Sequence, residues 1–210
     1  MKFLYAALLA LVLCAPCFSQ ALTSGTDFLG VPTANVMPAG TIALTAFSFG
    51  PDWPYGGKTH ESFGMTLGIA DGLEINSSGS LDDVDIHNTL FGVKYNIEKS
   101  EQSSGWVKPA IFLYGLGEGR TGVPGIALTY DRPDSRFSMS TSGWFVDDAW
   151  ECGVGAGYAL GRGVRLVGEY STDSKAFGGV ELSYKWLVGR ILKAESDDWF
   201  MEAGVCLPVW

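Results

Sequence analysis

The chain has 210 residues, a net charge of −9, 28 glycines, 13% aromatic residues and only 18% charged ones. An acidic chain without a basic patch is a poor partner for nucleic acid or an anionic lipid surface, and its charge argues against both. Charged residues fall short of the quarter usual in soluble domains, while mean hydropathy stays positive at +0.16; the apolar surface is either a generous core or a face turned to lipid.

The first residues read as a leader. Met1-Lys2 supplies one positive charge, Phe3 to Leu13 is an apolar run, and a Pro-containing stretch ends in Ser19-Gln20-Ala21. Small residues at −3 and −1 predict a signal peptide over 1–21, cleaved after Ala21. The run is too short to cross a hydrocarbon core of about 30 Å as a helix. Cys14 follows Leu13 and Cys17 follows Pro16, and neither is the small residue that lipidation wants before a cysteine. Loss of Lys2 leaves the mature chain more acidic still.

Residues 22–39 read as an irregular N-terminal segment. Pro32 and Pro38 fix their backbone angles and Gly40 permits unusual ones. Such a segment either folds into a lumen as a small plug or is tied down at a barrel's periplasmic rim, and the rim is the expectation.

From residue 40 to 210 the hydrophobic period is two, not 3.6. Phe63, Met65, Leu67 and Ile69 alternate with small and polar residues, and Asp71-Gly72 predicts a type I′ hairpin turn into Leu73, Ile75 and Ser77. The alternation recurs over 89–97, 150–160, 164–170, 179–186 and 199–209, with less regular strands at 41–49, 106–116, 123–131 and 136–146. Strands of about ten residues with one apolar face, joined by turns, are the signature of a transmembrane β-barrel.

Alternation alone also suits a secreted or periplasmic β-sandwich that binds a ligand. Aromatic placement favours the barrel. Trp53, Tyr55, Trp106, Tyr130, Trp144, Phe145, Trp150, Tyr170, Trp186, Trp199 and Trp210 lie at or near predicted strand ends, where a barrel meets the membrane interfaces. The predicted fold is all-β: a closed antiparallel barrel of 10–12 strands. An even number keeps both termini on one side, and twelve is reached if part of 22–35 adds a strand. Trp210 closes an alternating strand and resembles the C-terminal signal read by the barrel-assembly machinery, though it is one step out of phase with Leu207 and Val209 unless a bulge at Pro208 restores the face.

The opening Gly25-Thr26-Asp27-Phe28-Leu29-Gly30-Val31-Pro32-Thr33-Ala34-Asn35-Val36-Met37-Pro38-Ala39-Gly40 resembles the "PTA…P-x-G" start of the YjbH-like family of bacterial outer-membrane barrels. The hairpin Gly68-Ile69-Ala70-Asp71-Gly72-Leu73-Glu74-Ile75 is similar to a turn of that family, as are Phe91 to Asn96 and Lys108-Pro109-Ala110. The resemblance covers roughly the first half of the mature chain. It implies an outer-membrane barrel, with some members of the family linked to exopolysaccharide export.

Polar positions opposite the apolar faces, Lys94, Glu151, Arg165, Glu169, Glu181 and Lys185, are the candidate lumen lining. Charges of both signs in a narrow interior pair with one another; in a wide one they set selectivity. His60 and His87 lie near acidic residues in predicted outer loops and are the candidates for a barrel-mouth hydrolase, but no motif of such an enzyme surrounds them. Asp82-Asp83-Val84-Asp85 and Asp147-Asp148 lack the ligand register of a calcium loop, and read as solvated loop charge. Gly153-Val154-Gly155-Ala156-Gly157 lacks the strand-then-helix setting of a nucleotide fingerprint. Cys152 and Cys206 fall in separate strands, read as two thiols in the wall, with a disulfide as the alternative. The sequence therefore predicts a non-enzymatic outer-membrane barrel, structural or weakly pore-forming, with no catalytic residue, metal or cofactor. Its partners are membrane lipid and, during biogenesis, the assembly machinery.

Overall fold

The computed structural model describes residues 31–49, 60–80, 89–97, 106–117, 120–172, 175–195 and 199–209. The signal peptide, His87, the Asp82–Asp85 cluster, Trp53, Tyr55 and Trp210 lie outside them. So does the side chain of His60.

Twelve strands are present among the described residues: β1 (Thr41–Phe49), β2 (His60–Ala70), β3 (Leu73–Ser80), β4 (Leu90–Asn96), β5 (Val107–Gly117), β6 (Arg120–Asp131), β7 (Phe137–Val146), β8 (Ala149–Gly161), β9 (Val164–Ser171), β10 (Lys175–Tyr184), β11 (Leu187–Ala194) and β12 (Trp199–Pro208). Each pairs antiparallel with its sequence neighbours, and β1 pairs with β12 to close the barrel. Closure leaves no sheet edge unpaired. A single closed sheet also excludes the sandwich, which needs two sheets packed face to face.

The strand count comes from an unexpected place. The twelfth strand is β11, Leu187–Ala194, whereas residues 31–35 form no strand. The predicted 179–186 strand ends at Tyr184; Lys185 and Trp186 make the two-residue turn into β11, with Lys185 at a φ of 56°. At Asp71-Gly72 the turn is in place, but positive φ belongs to Gly72 alone, so it is not type I′. A register shift between Gly68 and Ala70 absorbs the difference. The paired left-handed residues of a type I′ turn occur instead at Asp147 and Asp148, with φ of 47° and 64°, which join β7 to β8. The β1–β12 register runs unbroken from Phe49↔Phe200 to Thr41↔Pro208, so no bulge precedes Pro208.

The two faces are inverted relative to a soluble protein. Leu44, Met65, Ile75, Ile111, Ile126, Leu128, Leu166, Leu182, Ile191 and Met201 face outward and are exposed, while Thr45, Thr66, Glu74, Lys94, Thr129, Ser140, Glu181, Arg190 and Glu202 face inward and are buried. An apolar outer wall around a polar lumen is stable only where the wall meets lipid. Exposed aromatics form two belts. Tyr95, Trp106, Phe137, Tyr158 and Tyr184 lie toward the end where β1 begins and β12 finishes, the terminal end; Phe91, Phe145, Trp150, Tyr170 and Trp199 lie toward the opposite, loop end. These are the positions of the interfacial girdles. Trp186 departs from the expected set: it is buried. So does Trp144, which is half-buried and donates its indole N–H to Glu151 Oε2 at 2.8 Å.

Candidate functional site: the barrel lumen

Strand pairing decides which inward charges meet. On β9 to β12, Arg165, Glu181, Arg190 and Glu202 are direct cross-strand partners in succession. Their signs alternate, so each neighbouring pair attracts. Arg165 Nη1 lies 3.7 Å from Glu181 Oε1, Arg190 Nε 3.2 Å from Glu181 Oε2, and Arg190 Nη1 3.7 Å from Glu202 Oε2. Arg165 also donates to Ser138 Oγ on β7, and its guanidinium occupies the space that a side chain at Gly157 would need. Across the lumen, Glu74 on β3 and Lys94 on β4 are register partners with Nζ and Oε1 3.0 Å apart, both wholly buried. Charges held this far from water persist because each is paired; stripping a partner would leave an uncompensated ion.

Of the proposed lining residues, the wall brings Arg165 and Glu181 into one ladder and buries Glu169 on the same inner face. Lys94 stands in the separate pair. Glu151 serves Trp144 near the loop end. Lys185 does not line the lumen. It sits in the β10–β11 turn, its ammonium 5.5 Å from the centroid of the Tyr184 ring, because the strand stops two residues earlier than its alternation suggests. Sequence reasoning missed Glu74, Arg190 and Glu202. Glu74 and Glu202 occupy off-face positions in strands already recognised, so the same alternation pointed to them.

The remaining lumen is occupied by the chain's own segment 31–40. Val31, Ala34 and Met37 are wholly buried, Thr33 nearly so. The segment turns at Pro38–Thr41, where Thr41 N–H donates to Pro38 O at 3.2 Å and Gly40 takes a φ of 76°. Traced back from this turn toward Val31, it leads away from the terminal end, into the interior. Val31 joins Val167, Phe177, Leu192, Ala194 and Phe200, a cluster reaching the loop end of β10, β11 and β12. Ala34 packs with Ala110, Phe112 and Ala127, and Met37 with Ala43 and Cys206. The segment therefore threads the lumen rather than resting on its rim. Two wall glycines permit the close approach: a Cβ at Gly68 would fall 2.0 Å from Pro38 O, and one at Gly153 2.7 Å from Val31 Cγ2.

Its main chain is held by wall side chains. Ala34 N–H donates to Thr129 Oγ1 at 2.7 Å, and Asn96 Nδ2 donates to Ala34 O at 2.8 Å. Ser140 Oγ donates to Pro32 O at 3.3 Å, and Met37 N–H donates to Glu74 Oε2 at 2.8 Å. Lys108 Nζ reaches Asn35 Oδ1 at 3.4 Å. A segment outside any strand satisfies its buried peptide groups in this way, as burial requires.

Elsewhere the chemistry is sparse. Cys152 is exposed on the outer face of β8 and Cys206 is buried on β12; both are free thiols. Asp147-Asp148 is a tight turn, and among the described residues no three His, Cys, Asp or Glu side chains gather as a metal set. An apolar recess of about 590 Å³, lined by Ile111, Phe112, Pro124, Gly125, Ile126, Phe145 and Trp150, opens on the outer wall, where lipid chains would lie.

These features define a class: a membrane-spanning antiparallel β-barrel of twelve strands, with its fold shared by porins. The KdgM porin superposes with a TM-score of 0.52 at 14% identity, covering 78% of this chain and 97% of the other. A KdgM porin structure in complex with disordered oligogalacturonate gives the same TM-score at 15% identity, over 79% and 97% of the two chains. The Acinetobacter baumannii outer membrane protein Omp33 aligns at 8% identity and a TM-score of 0.47, over 80% and 97%. No protein-family model matches the sequence, and no curated protein matches it.

Proposed function

We propose that the protein is a non-enzymatic barrel of the Gram-negative outer membrane, weakly pore-forming, with its lumen closed at rest. The observation that carries this reading is the combination of an exposed apolar wall with inward charges of both signs, paired across neighbouring strands. Apolar residues of similar volume would often stabilise a filled interior as well as buried ion pairs do, so stability alone does not call for the charged lining. Such a lining suits a passage for water and ions. The leader pattern over residues 1–21 supports the destination.

The resemblance of Pro32-Thr33-Ala34 and Pro38-Ala39-Gly40 to the YjbH-like opening supports a place in envelope biogenesis, with exopolysaccharide export as the finer assignment. The oligogalacturonate found with KdgM porin is a polyanion. Here Glu74, Glu169, Glu181 and Glu202 face the lumen alongside Lys94, Arg165 and Arg190, a balance that does not favour a polyanionic cargo. A cation-preferring or neutral passage follows.

The test has two stages. Expressed with its leader in a Gram-negative host, the protein is expected in the outer-membrane fraction and to change gel mobility on boiling. Purified protein in a planar bilayer should give rare, small, cation-preferring conductance steps. Recovery as a soluble periplasmic protein with no mobility shift would overturn the reading.

A further inference from the structure

We propose that the lumen is a binding site for an extended, proline-containing peptide, occupied in cis by residues 31–38, and that release of this segment opens the pore. The inference rests on the pore reading above and adds a gate to it. Four observations meet. Val31, Ala34 and Met37 each fill a separate apolar pocket of the wall. Their spacing of three matches the three residues per turn of a polyproline II segment, the conformation that Pro32 and Pro38 favour. The wall contacts peptide groups as well as side chains: Thr129 and Asn96 take the N–H and C=O of Ala34, and Glu74 takes the N–H of Met37. Gly68 and Gly153 hollow the wall where the segment passes.

Such a site recognises a backbone course with apolar side chains at every third position, the logic by which grooves read proline-rich peptides. Attachment of the segment to β1 keeps the site filled. A tethered ligand at a high effective concentration stays bound through interactions too weak to hold it in trans. Its contacts with the wall are hydrogen bonds and apolar pockets, with no covalent cross-link among the described residues, so the closed state is an equilibrium. The pairs Glu74–Lys94 and Glu181–Arg190 belong to the wall and remain when the segment leaves. The opened barrel keeps its ion-paired lining.

The deciding experiment compares single-channel conductance of the full chain with that of a variant lacking residues 31–37, each first shown to be folded by its heat-dependent gel mobility. The deletion variant is expected to conduct steadily where the full chain opens rarely. Addition of a synthetic peptide of residues 31–40 at on the order of millimolar concentration should close it again, while a scrambled peptide should not. A full-length Asn96→Ala/Thr129→Val variant removes both partners of the Ala34 peptide group; its open probability is expected to rise on the order of tenfold, the effect of losing two ordinary hydrogen bonds. If the deletion variant does not fold, this double variant decides. A folded deletion variant that conducts no more than the full chain, a peptide that fails to close it, or a double variant with unchanged gating would each overturn the gate. The pore reading fails separately, if the protein in the bilayer never conducts in any form.

Discussion

The carboxylate of Glu74 is shared between two partners from different parts of the chain: Oε2 accepts the Met37 peptide N–H at 2.8 Å, and Oε1 lies 3.0 Å from Lys94 Nζ. One side chain thereby ties the threaded segment to an ion pair of the wall. Because all three groups are buried, no water stands ready to replace a lost partner.

Glu74→Gln is expected to be costly for this reason. It leaves the Lys94 ammonium uncompensated in the interior, a loss of about 3–5 kcal/mol in comparable buried pairs. Glu74→Gln combined with Lys94→Met should recover much of that loss. Urea unfolding of the refolded barrel in lipid vesicles measures both. A double variant no better than the single would show that the peptide contact of Met37, rather than the ion pair, sets the cost.

Arg190 stands between two carboxylates, Glu181 and Glu202. Arg190→Met should lower the unfolding temperature, read from the boiled-to-unboiled gel shift, by more than Lys193→Met on the same strand. Lys193 faces outward, its ammonium 5.9 Å from the Trp199 ring centroid, and an exposed contact of this kind contributes about 0.5–1 kcal/mol. Equal effects of the two substitutions would argue against a stabilising ladder.

Ile126 is 54% exposed at the middle of β6, and on this barrel exposure means contact with lipid. Ile126→Lys is expected to destabilise by about 2–4 kcal/mol, as charges on the lipid face near a bilayer midplane do. Val107→Lys, on the same outer face at the terminal end of neighbouring β5, should cost about 1 kcal/mol or less. Refolding titrations into vesicles compare them, and equal costs would place the wall outside a bilayer.

Asp147 and Asp148 both adopt left-handed backbone, a conformation that costs a side-chain-bearing residue about 1–2 kcal/mol and glycine almost nothing. Asp148→Gly should therefore leave the fold unchanged and raise stability by up to about 1 kcal/mol. The Asn-Gly pair made by Asp147→Asn with Asp148→Gly should do at least as well. A fall in stability would mean that the carboxylates hold the turn by contacts of their own.

The fold class and most of the wall are legible in the residue pattern alone. Period-two alternation with glycine and aspartate turns marks β2, β3, β4, β8, β9 and β12, because lipid outside and a polar lumen inside demand opposite residues at successive positions. β11 escaped the pattern. Beyond inward Arg190, its inward residues Leu192 and Ala194 are apolar like outward Leu187 and Ile191. That part of the lumen meets Val31, not water, and the contrast between faces is erased.

The charge ladder and the filled lumen, by contrast, depend on pairings between distant strands and on the course of segment 31–40. Closure through β1 and β12 sets the register that makes Arg165, Glu181, Arg190 and Glu202 neighbours, and no local pattern encodes a register between separate strands. The segment's place inside the barrel is likewise invisible in its own residues. Its prolines announce a stiff irregular course, but where that course runs depends on the hydrogen-bond partners and hollows that Thr129, Asn96, Glu74, Gly68 and Gly153 bring together. Buried peptide groups must find partners, and only the closed barrel assembles them.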